Sequence, residues 1–318
     1  MAIEGGIKME LKELEYLIAI AEEKSISKAA ERLFMAQSSL SQSLHSMEAE
    51  LGGTLFIRTS SGVRPTESGK IAIEVAQKML LEYHQLKAKI SDTEGLKTGK
   101  VTFGVSTFRG GYLLPKVVCD FKKLYPSVQV EIHEANSMAL EQQLIEGRVD
   151  LALVVLPFAK LKADTRNLLK DEIVLVVPKD HPVCRRVKET EKDGVRHCYI
   201  DLEDTIEFEY ILSDNDTILG DRARKVFAAK GLVPKVCNDN LTAPIAAAMA
   251  RAGLGLAFTY RSCCEDKDGA SYYSIGEEGI YVQLALANPP GRYRSKAAKA
   301  LEEQLLRYFS QTPLQIYA

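Results

Sequence analysis

Leu40, Leu44, Met47 and Leu51 recur at helical spacing, while Ser38, Ser41, Gln42 and His45 fall together on the opposite side of the same turn pattern. This predicts a helix from Gln37 that is buried along one stripe and polar along the other. Just before it, Ser25 to Leu33 predicts a shorter helix, with Ser25 and Ser27 where an N-cap is needed and Ala29-Ala30 allowing a close helix crossing. Leu11, Leu14, Leu17, Ile18 and Ala21 form one stripe of a first helix packed behind that pair. After Gly52-Gly53, the run Thr54 to Gly69 reads as two short extended segments around a Ser-Gly turn, with Arg58 and Arg64 flanking its tip. From Glu67 to about Ser91, Ala72, Val75 or Ala76, Met79, Tyr83, Leu86 and Ile90 step along one face of a long helix without Pro or Gly. Such a stripe needs a partner, either the chain's own second domain or another subunit, and pairing with another subunit is the expectation.

The polar, glycine-bearing stretch Asp92 to Gly99 reads as a linker, and beyond it the rhythm changes. Val101–Val105, Val128–Ile132 and Leu151–Val155 predict strands separated by helices at about 112–125 and 138–147. Glu172–Val177 opens a second unit, continued by Phe208–Leu212, a helix at 218–230, Lys235–Cys237, a helix at 241–252 and Leu254–Phe258. Ile280–Leu286 and a helix at about 295–309 return to the first unit. Alternating strands and helices at this interval imply a mostly parallel sheet covered by helices.

The fold class is therefore α/β with an all-α N-terminal region. The expected divisions are 9–66, a long helix over 67–92, a first lobe built from 98–170 with 268–312, and a second lobe over 171–267. A chain of 318 residues has room for these units, and its 46% hydrophobic and 26% charged residues are ordinary for a globular protein. It has no run of eighteen apolar residues and no signal-peptide pattern at its start, so a cytoplasmic protein without membrane contact is expected.

Short hydrogen-bonding side chains on a helix locked by its apolar side suit insertion into a DNA major groove, and the turn around Gly62 suits a wing over the backbone. The competing reading is a helical hairpin with a solvated polar face. Charge does not favour DNA: the net charge is −2, and residues 9–69 hold six basic against nine acidic side chains. Only their distribution could supply a basic footprint, with Lys28, Arg32, Arg58 and Arg64 toward DNA and most glutamates elsewhere. Binding that is weak, salt-sensitive and dependent on a dimer or tetramer follows.

The order of residues Met9 to Tyr16, Ala29-Ala-Glu-Arg-Leu33, Gln37-Ser-Ser-Leu-Ser41, Leu51-Gly52, Leu55-Phe56, Arg58-Thr59 and Thr66-Glu-Ser-Gly69 resembles the amino-terminal domain of LysR-type transcriptional regulators. It departs where family members carry Ser-Gln-Pro, here Ala36-Gln37-Ser38, and basic residues near Gln42, His45 and Ser46. Gly104-Val-Ser-Thr107, Tyr112-Leu-Leu-Pro115, Gly147 to Ala152, Val177-Pro178 with His181-Pro182, and Ala252 to Leu256 are similar to the family's two-lobed effector domain, itself like periplasmic binding proteins. The resemblance implies a winged helix-turn-helix, a dimerising linker helix and a cleft for a small-molecule metabolite effector. Double-stranded promoter DNA, a homodimer or homotetramer, and RNA polymerase are the implied partners. Gln37, Ser38, Ser41, Gln42 and His45 are expected in the groove, with Ser27, Arg58, Thr59 and Arg64 on phosphates.

Ligands of open α/β sheets bind beyond strand carboxyl ends, near free helix N–H groups. Ser106, Thr107, Ser213, Asn215, Thr217, Asn240 and Thr242 occupy such places, each also readable as an ordinary cap, and Arg109 could hold a carboxylate. Asp214 and Asp216 bring negative charge to the same region and leave the ligand's charge open.

The six cysteines form no C-x-x-C pair, so no metal, cofactor or catalytic site is expected. A redox-sensing branch of the family uses a cysteine pair where Cys184 and Cys198 would fall, without a matching spacing. P-loop, dinucleotide, G-x-S-x-G and H-E-x-x-H motifs are absent and His45, His84, His133, His181 and His197 are scattered, which argues against an enzyme. A ligand-binding or redox-sensing module without sequence-specific DNA binding is the alternative.

Overall fold

The computed structural model describes residues 9–60, 62–93, 99–158, 164–192, 194–264 and 269–311. The chain divides into two compact units, one up to Ile90 and the other from Ser91 onward.

In the first unit, α1 (Leu11–Glu23), α2 (Ile26–Arg32) and α3 (Gln37–Leu51) pack around one apolar core. Leu40, Leu44 and Met47 of α3 are buried, and fully burying one such leucine contributes about 1.5–3 kcal/mol. Leu51, expected on the same stripe, is exposed, because the helix ends at Gly52 in a left-handed conformation (φ +72°). On α1 the buried set is Leu14, Leu17, Ala19 and Ile20. Leu11 is exposed and Ile18 and Ala21 are half-buried, because the helix packs against α2, α3 and the hairpin rather than along one seam.

Strands β1 (Phe56–Thr59) and β2 (Gly62–Pro65) pair antiparallel as the wing, with Ile57 opposite Arg64 and Arg58 opposite Val63. Its place is set by the end of α1. Lys24 turns left-handed (φ 51°) and its carbonyl accepts the Val63 N–H at 2.9 Å. Only glycine fits at position 62, where φ is +130° and a Cβ would meet the Lys24 carbonyl oxygen at 2.2 Å.

Helix α4 (Glu67–Thr93) begins with its apolar stripe turned inward. Ala72 and Ala76 pack on the helical core with Ile73 and Leu80. Farther along, Met79, Tyr83, Leu86 and Ile90 are exposed, as are Ile71 and Val75 beside them. Of the expected linker, Asp92 and Thr93 end α4, Gly99 opens the next strand, and 94–98 lie outside the described residues.

In the second unit, strands β3 (Gly99–Val105), β4 (Val128–Glu134), β5 (Leu151–Leu156), β6 (Asp164–Pro178), β7 (Lys188–Lys192), β8 (Val195–Ile200), β9 (Glu209–Ser213), β10 (Lys235–Leu241), β11 (Leu256–Tyr260), β12 (Ala270–Ile275) and β13 (Ile280–Asn288) join in one eleven-stranded sheet among the described residues. Its main path runs β10-β9-β11-β6-β13-β5-β3-β4, giving two α/β lobes. The parallel pairs β3/β4 and β9/β10 form the two ends of that path, one in each lobe. Helices α5 (Thr107–Leu124), α6 (Ser137–Glu146), α7 (Ile218–Ala229), α8 (Ala243–Arg251) and α9 (Lys296–Gln311) cover the sheet.

The boundary expected at 170/171 falls inside β6. That strand pairs with β13 along Asp164–Ile173 and with β11 and β12 along Ile173–Pro178, so it belongs to both lobes. β12, which a boundary at 268 would give to the first lobe, pairs with β8 and with the second half of β6. The hairpin β7/β8 has no counterpart in the sequence expectation: Lys-Glu-Thr-Glu-Lys carries no apolar alternation to signal a strand.

Candidate functional site

Two sets of side chains bear chemistry, one in each unit. In the first, Gln37, Ser38, Gln42 and His45 are exposed along α3, and Ser41 is half-buried beside them. The Ser27 hydroxyl on α2 donates to Gln37 Oε1 at the start of α3 at 3.2 Å, and Ser25 caps α2 through the Lys28 N–H. His45 Nδ1 lies 3.4 Å from Glu48, whose other oxygen accepts the N–H groups of Leu55 and Phe56 at 2.8 and 3.3 Å. Glu48 therefore ties α3 to the root of the wing.

On the wing, Arg58 and Arg64 are exposed, and the Thr59 hydroxyl donates to the Gly62 carbonyl at 3.2 Å, closing the turn. Arg32 does not join Lys28, Arg58 and Arg64 as an unpaired cation. Its guanidinium bonds Glu22 at 2.6 Å and Glu23 at 3.1 Å.

The acidic excess thus has structural uses. Glu22 and Glu23 neutralise Arg32, Glu48 caps backbone, and Glu10 and Glu13 form the capping box of α1. Lys28, Arg58 and Arg64 have no ion-pair partner among the described residues.

The second set surrounds a cavity of about 200 Å³ between the lobes of the second unit. The N-termini of α5, α6, α7 and α8 open on it, each following the carboxyl end of a parallel strand. Asn136 and Thr217 use their side chains to cap α6 and α7, through the N–H groups of Ala139 and Gly220. Ser106 and Thr242 make no such bond, so the first-turn N–H groups of α5 and α8 are left by their caps to the cavity. Phe108, Ile218, Leu219, Ala243, Pro244 and Tyr260 supply apolar wall.

Of the sequence candidates, Ser106, Arg109, Thr217 and Thr242 line this cavity. The Thr107 side chain lies outside what is described. Ser213, Asn215 and Asn240 are not on the wall. Ser213 is a buried strand residue whose carbonyl accepts from Arg224 at 2.7 Å. A turn in which Asp214 Oδ1 accepts the Asp216 N–H carries the chain past Asn215 to Asp216 and Thr217, and these two reach the cavity. Asn240 is still within β10. The sequence reading missed Phe108, Asn136, Ser137 and Tyr260, while Asp216, expected to bring negative charge to this region, is on the wall. Asn136 was accessible to it as a cap before the apolar-periodic run Leu140, Leu144; Tyr260 was not, since only the sheet brings it to α5.

Arg109 sits in the first turn of α5, which begins five residues earlier than the pattern suggested because Gly110-Gly111 blur the helical signal. Only 4% exposed, it stacks on the Tyr260 ring (3.7 Å to the centroid), with Nε 3.8 Å from Asp171 Oδ2. Asp171, on β6 where pairing passes from β13 to β11, is fully buried and accepts from Ser262 N–H at 3.1 Å and Oγ at 2.7 Å. Burial pushes its carboxyl above the ordinary range, against the pull of Arg109. The adjacent Glu172 is bonded by Arg261 at 3.0 Å.

Among the cysteines, Cys264 is pushed up to about 12 by burial, which suppresses thiolate chemistry. Cys184 donates to the Lys179 carbonyl at 3.5 Å.

Residues 11–70 match the family described as bacterial regulatory helix-turn-helix protein, lysR family, and residues 94–310 match the LysR substrate binding domain. An uncharacterized HTH-type transcriptional regulator, YcgK of Bacillus subtilis, is 29% identical over 312 residues, 96% of either chain. A probable RuBisCO transcriptional regulator of Trieres chinensis is 26% identical over 305 residues, 93% of this chain and 96% of that one. A full-length OxyR variant from Pseudomonas aeruginosa shares the fold with a TM-score of 0.66 at 21% identity, covering 94% of this chain and 95% of that one. With both of its domains matched in order, the chain belongs to the LysR family of DNA-binding transcriptional regulators, with an effector-binding domain after its winged helix-turn-helix.

Proposed function

We propose that α3 enters the major groove with Gln37, Ser38, Ser41, Gln42 and His45 toward base edges, while Ser27, Arg58, Thr59 and Arg64 meet phosphates. The single observation that carries this is a polar helix face held rigid from behind: Leu40, Leu44 and Met47 lock α3 while Glu48 bonds it to the wing. Rigid presentation is what base readout requires, since Gln bidentate to adenine depends on geometry. The exposed stripe of Met79, Tyr83, Leu86 and Ile90 on α4 fits pairing with a second copy, which places two recognition helices on two half-sites. An effector in the lobe cavity would shift lobe closure and so the geometry of the paired DNA-binding units, in a dimer or tetramer acting in the cytoplasm. In this reading the cleft is a receptor and turns over no substrate; RNA polymerase is the downstream partner of an activating form.

The test is capture and sequencing of genomic fragments by the purified protein at low salt, with a Gln42→Ala, His45→Ala variant in parallel. Enrichment of a dyad-symmetric site, lost in the variant, is expected. No enrichment would reduce the chain to a ligand-binding or protein-interaction module.

A further inference from the structure

The Arg109 guanidinium is buried at the cavity wall, yet neither Nε nor Nη2 has a hydrogen-bond partner among the described residues. A buried charged donor without an acceptor costs several times what an ordinary hydrogen bond contributes, so this edge is an unfilled position rather than a packed one. Asp171 does not fill it. Its oxygens are already engaged by Ser262, and the approach to Nε stays at 3.8 Å, beyond hydrogen-bond range. Beside the open edge lie the N-termini of α5 and α8, uncapped by their side chains. Both features ask for the same thing, an oxyanion with two oxygens in a plane.

The charge count limits that anion. Arg109 stands against Asp171 at its back and Asp216 on the cavity wall, and no lysine or second arginine lines the cavity. With one cation against two carboxylates the site has no surplus positive charge. An anion held there by Arg109 and the helix N–H groups is therefore favoured at the lowest charge, and a dianion would add repulsion without a further cation. The cavity of about 200 Å³ has room for a small metabolite. The wall also carries Phe108, Ile218, Leu219 and Pro244, which suits an apolar remainder.

We propose that the effector is a small monocarboxylate whose oxygens take Nε and Nη2 of Arg109 and the free N–H groups of α5 and α8, and that Arg109 thereby reports occupancy to the lobe junction. This rests on the cleft being the effector site. Arg109 comes from the first lobe, whereas Tyr260 lies on the second and Asp171 on the strand common to both. A carboxylate that draws the guanidinium toward the cavity changes its stacking on Tyr260 and its approach to Asp171, so ligand binding and lobe angle share one side chain.

The test is thermal unfolding of the full-length protein at constant ionic strength with acetate, propionate and benzoate. Their neutral amides, inorganic phosphate and chloride serve as matched controls. At least one carboxylate is expected to raise Tm by about 2–4 °C or more when well above its Kd, with the amide of the same acid inactive. Arg109→Gln should abolish the rise, and Arg109→Lys, which keeps charge without the planar fork, should weaken it at least tenfold in apparent Kd.

The proposal is overturned if no carboxylate exceeds chloride, if amide and acid act alike, or if phosphate acts as strongly as the carboxylates. The acid-against-amide comparison uses the wild-type protein and so survives any folding failure of the variants. Fragment capture in the same preparation separates loss of this proposal from loss of the regulator reading: a protein that captures its site but ignores carboxylates refutes only the monocarboxylate.

Discussion

Phe34 shows how a side chain can be read against its surroundings. It is 97% exposed and adopts φ 52° in the turn before α3, a left-handed conformation that costs a residue with a Cβ roughly 1–2 kcal/mol. Asparagine tolerates that conformation and would forfeit no packing, so Phe34→Asn should stabilise the protein by about 1 kcal/mol, read as a higher denaturation midpoint. A lower midpoint would mean that the ring makes contacts in solution. His181 supplies the pH dependence. Burial lowers its pKa, its Nδ1 accepts the Val183 N–H at 3.2 Å, and its ring meets Phe208 edge-on at 4.7 Å. A depressed folded pKa means that the unfolded chain binds the proton more readily. The stabilisation is therefore whole above the usual histidine value of about 6.5 and is lost as pH falls through the folded value. Denaturant midpoints between about pH 7.5 and 5 should fall more steeply for the wild type than for His181→Asn, which keeps a cap acceptor; equal slopes would remove His181 from the account.

Among the elements, α4 carries the largest unmet demand. Its outer stripe exposes Met79, Tyr83, Leu86 and Ile90 over three turns, while Ala72 and Ala76 on the same stripe are used internally. Charge placed in the exposed part should break subunit pairing without disturbing the helical core: Met79→Glu with Leu86→Glu is expected to shift the molecular mass in solution toward a monomer, with helix content kept. An unchanged mass would move the pairing surface elsewhere. The sequence showed this stripe but not where along it the helix stops serving its own unit. That division follows from the size of the core of α1, α2 and α3, which reaches only as far as Leu80. The wing was legible from the Ser-Gly turn. Its attachment was not, because the bond from Val63 to Lys24 joins positions thirty-nine residues apart.

For the whole molecule, charge is the property whose meaning changed most. An acidic N-terminal unit looks unsuited to DNA until Glu22, Glu23 and Glu48 are seen to be spent on Arg32 and on backbone N–H groups. Of the four cations expected toward DNA, Lys28, Arg58 and Arg64 then remain without an ion-pair partner among the described residues of each protomer. A dimer neutralising about six phosphates should show a slope of log K against log salt near −5, reduced by about 2 in Arg58→Ala, which removes one contact from each protomer. A flat salt dependence would contradict phosphate contact by these residues.

Hydrophobic periodicity by itself determined the helices, most strands and the order of the units, because burial on one side of a regular element leaves a mark every 3.6 or 2 residues. Motif order likewise determined the family and the polar face of α3. Only the tertiary structure decided which candidates share the cavity, since Ser106, Thr217 and Thr242 meet through parallel pairing of strands far apart in the chain. It also decided that Arg32 is neutralised while Arg109 keeps an open edge. Both arginines have an apolar neighbour in the chain, Leu33 and Phe108, and what separates them is the distance to a carboxylate, 2.6 Å in one case and 3.8 Å in the other, which no local pattern encodes.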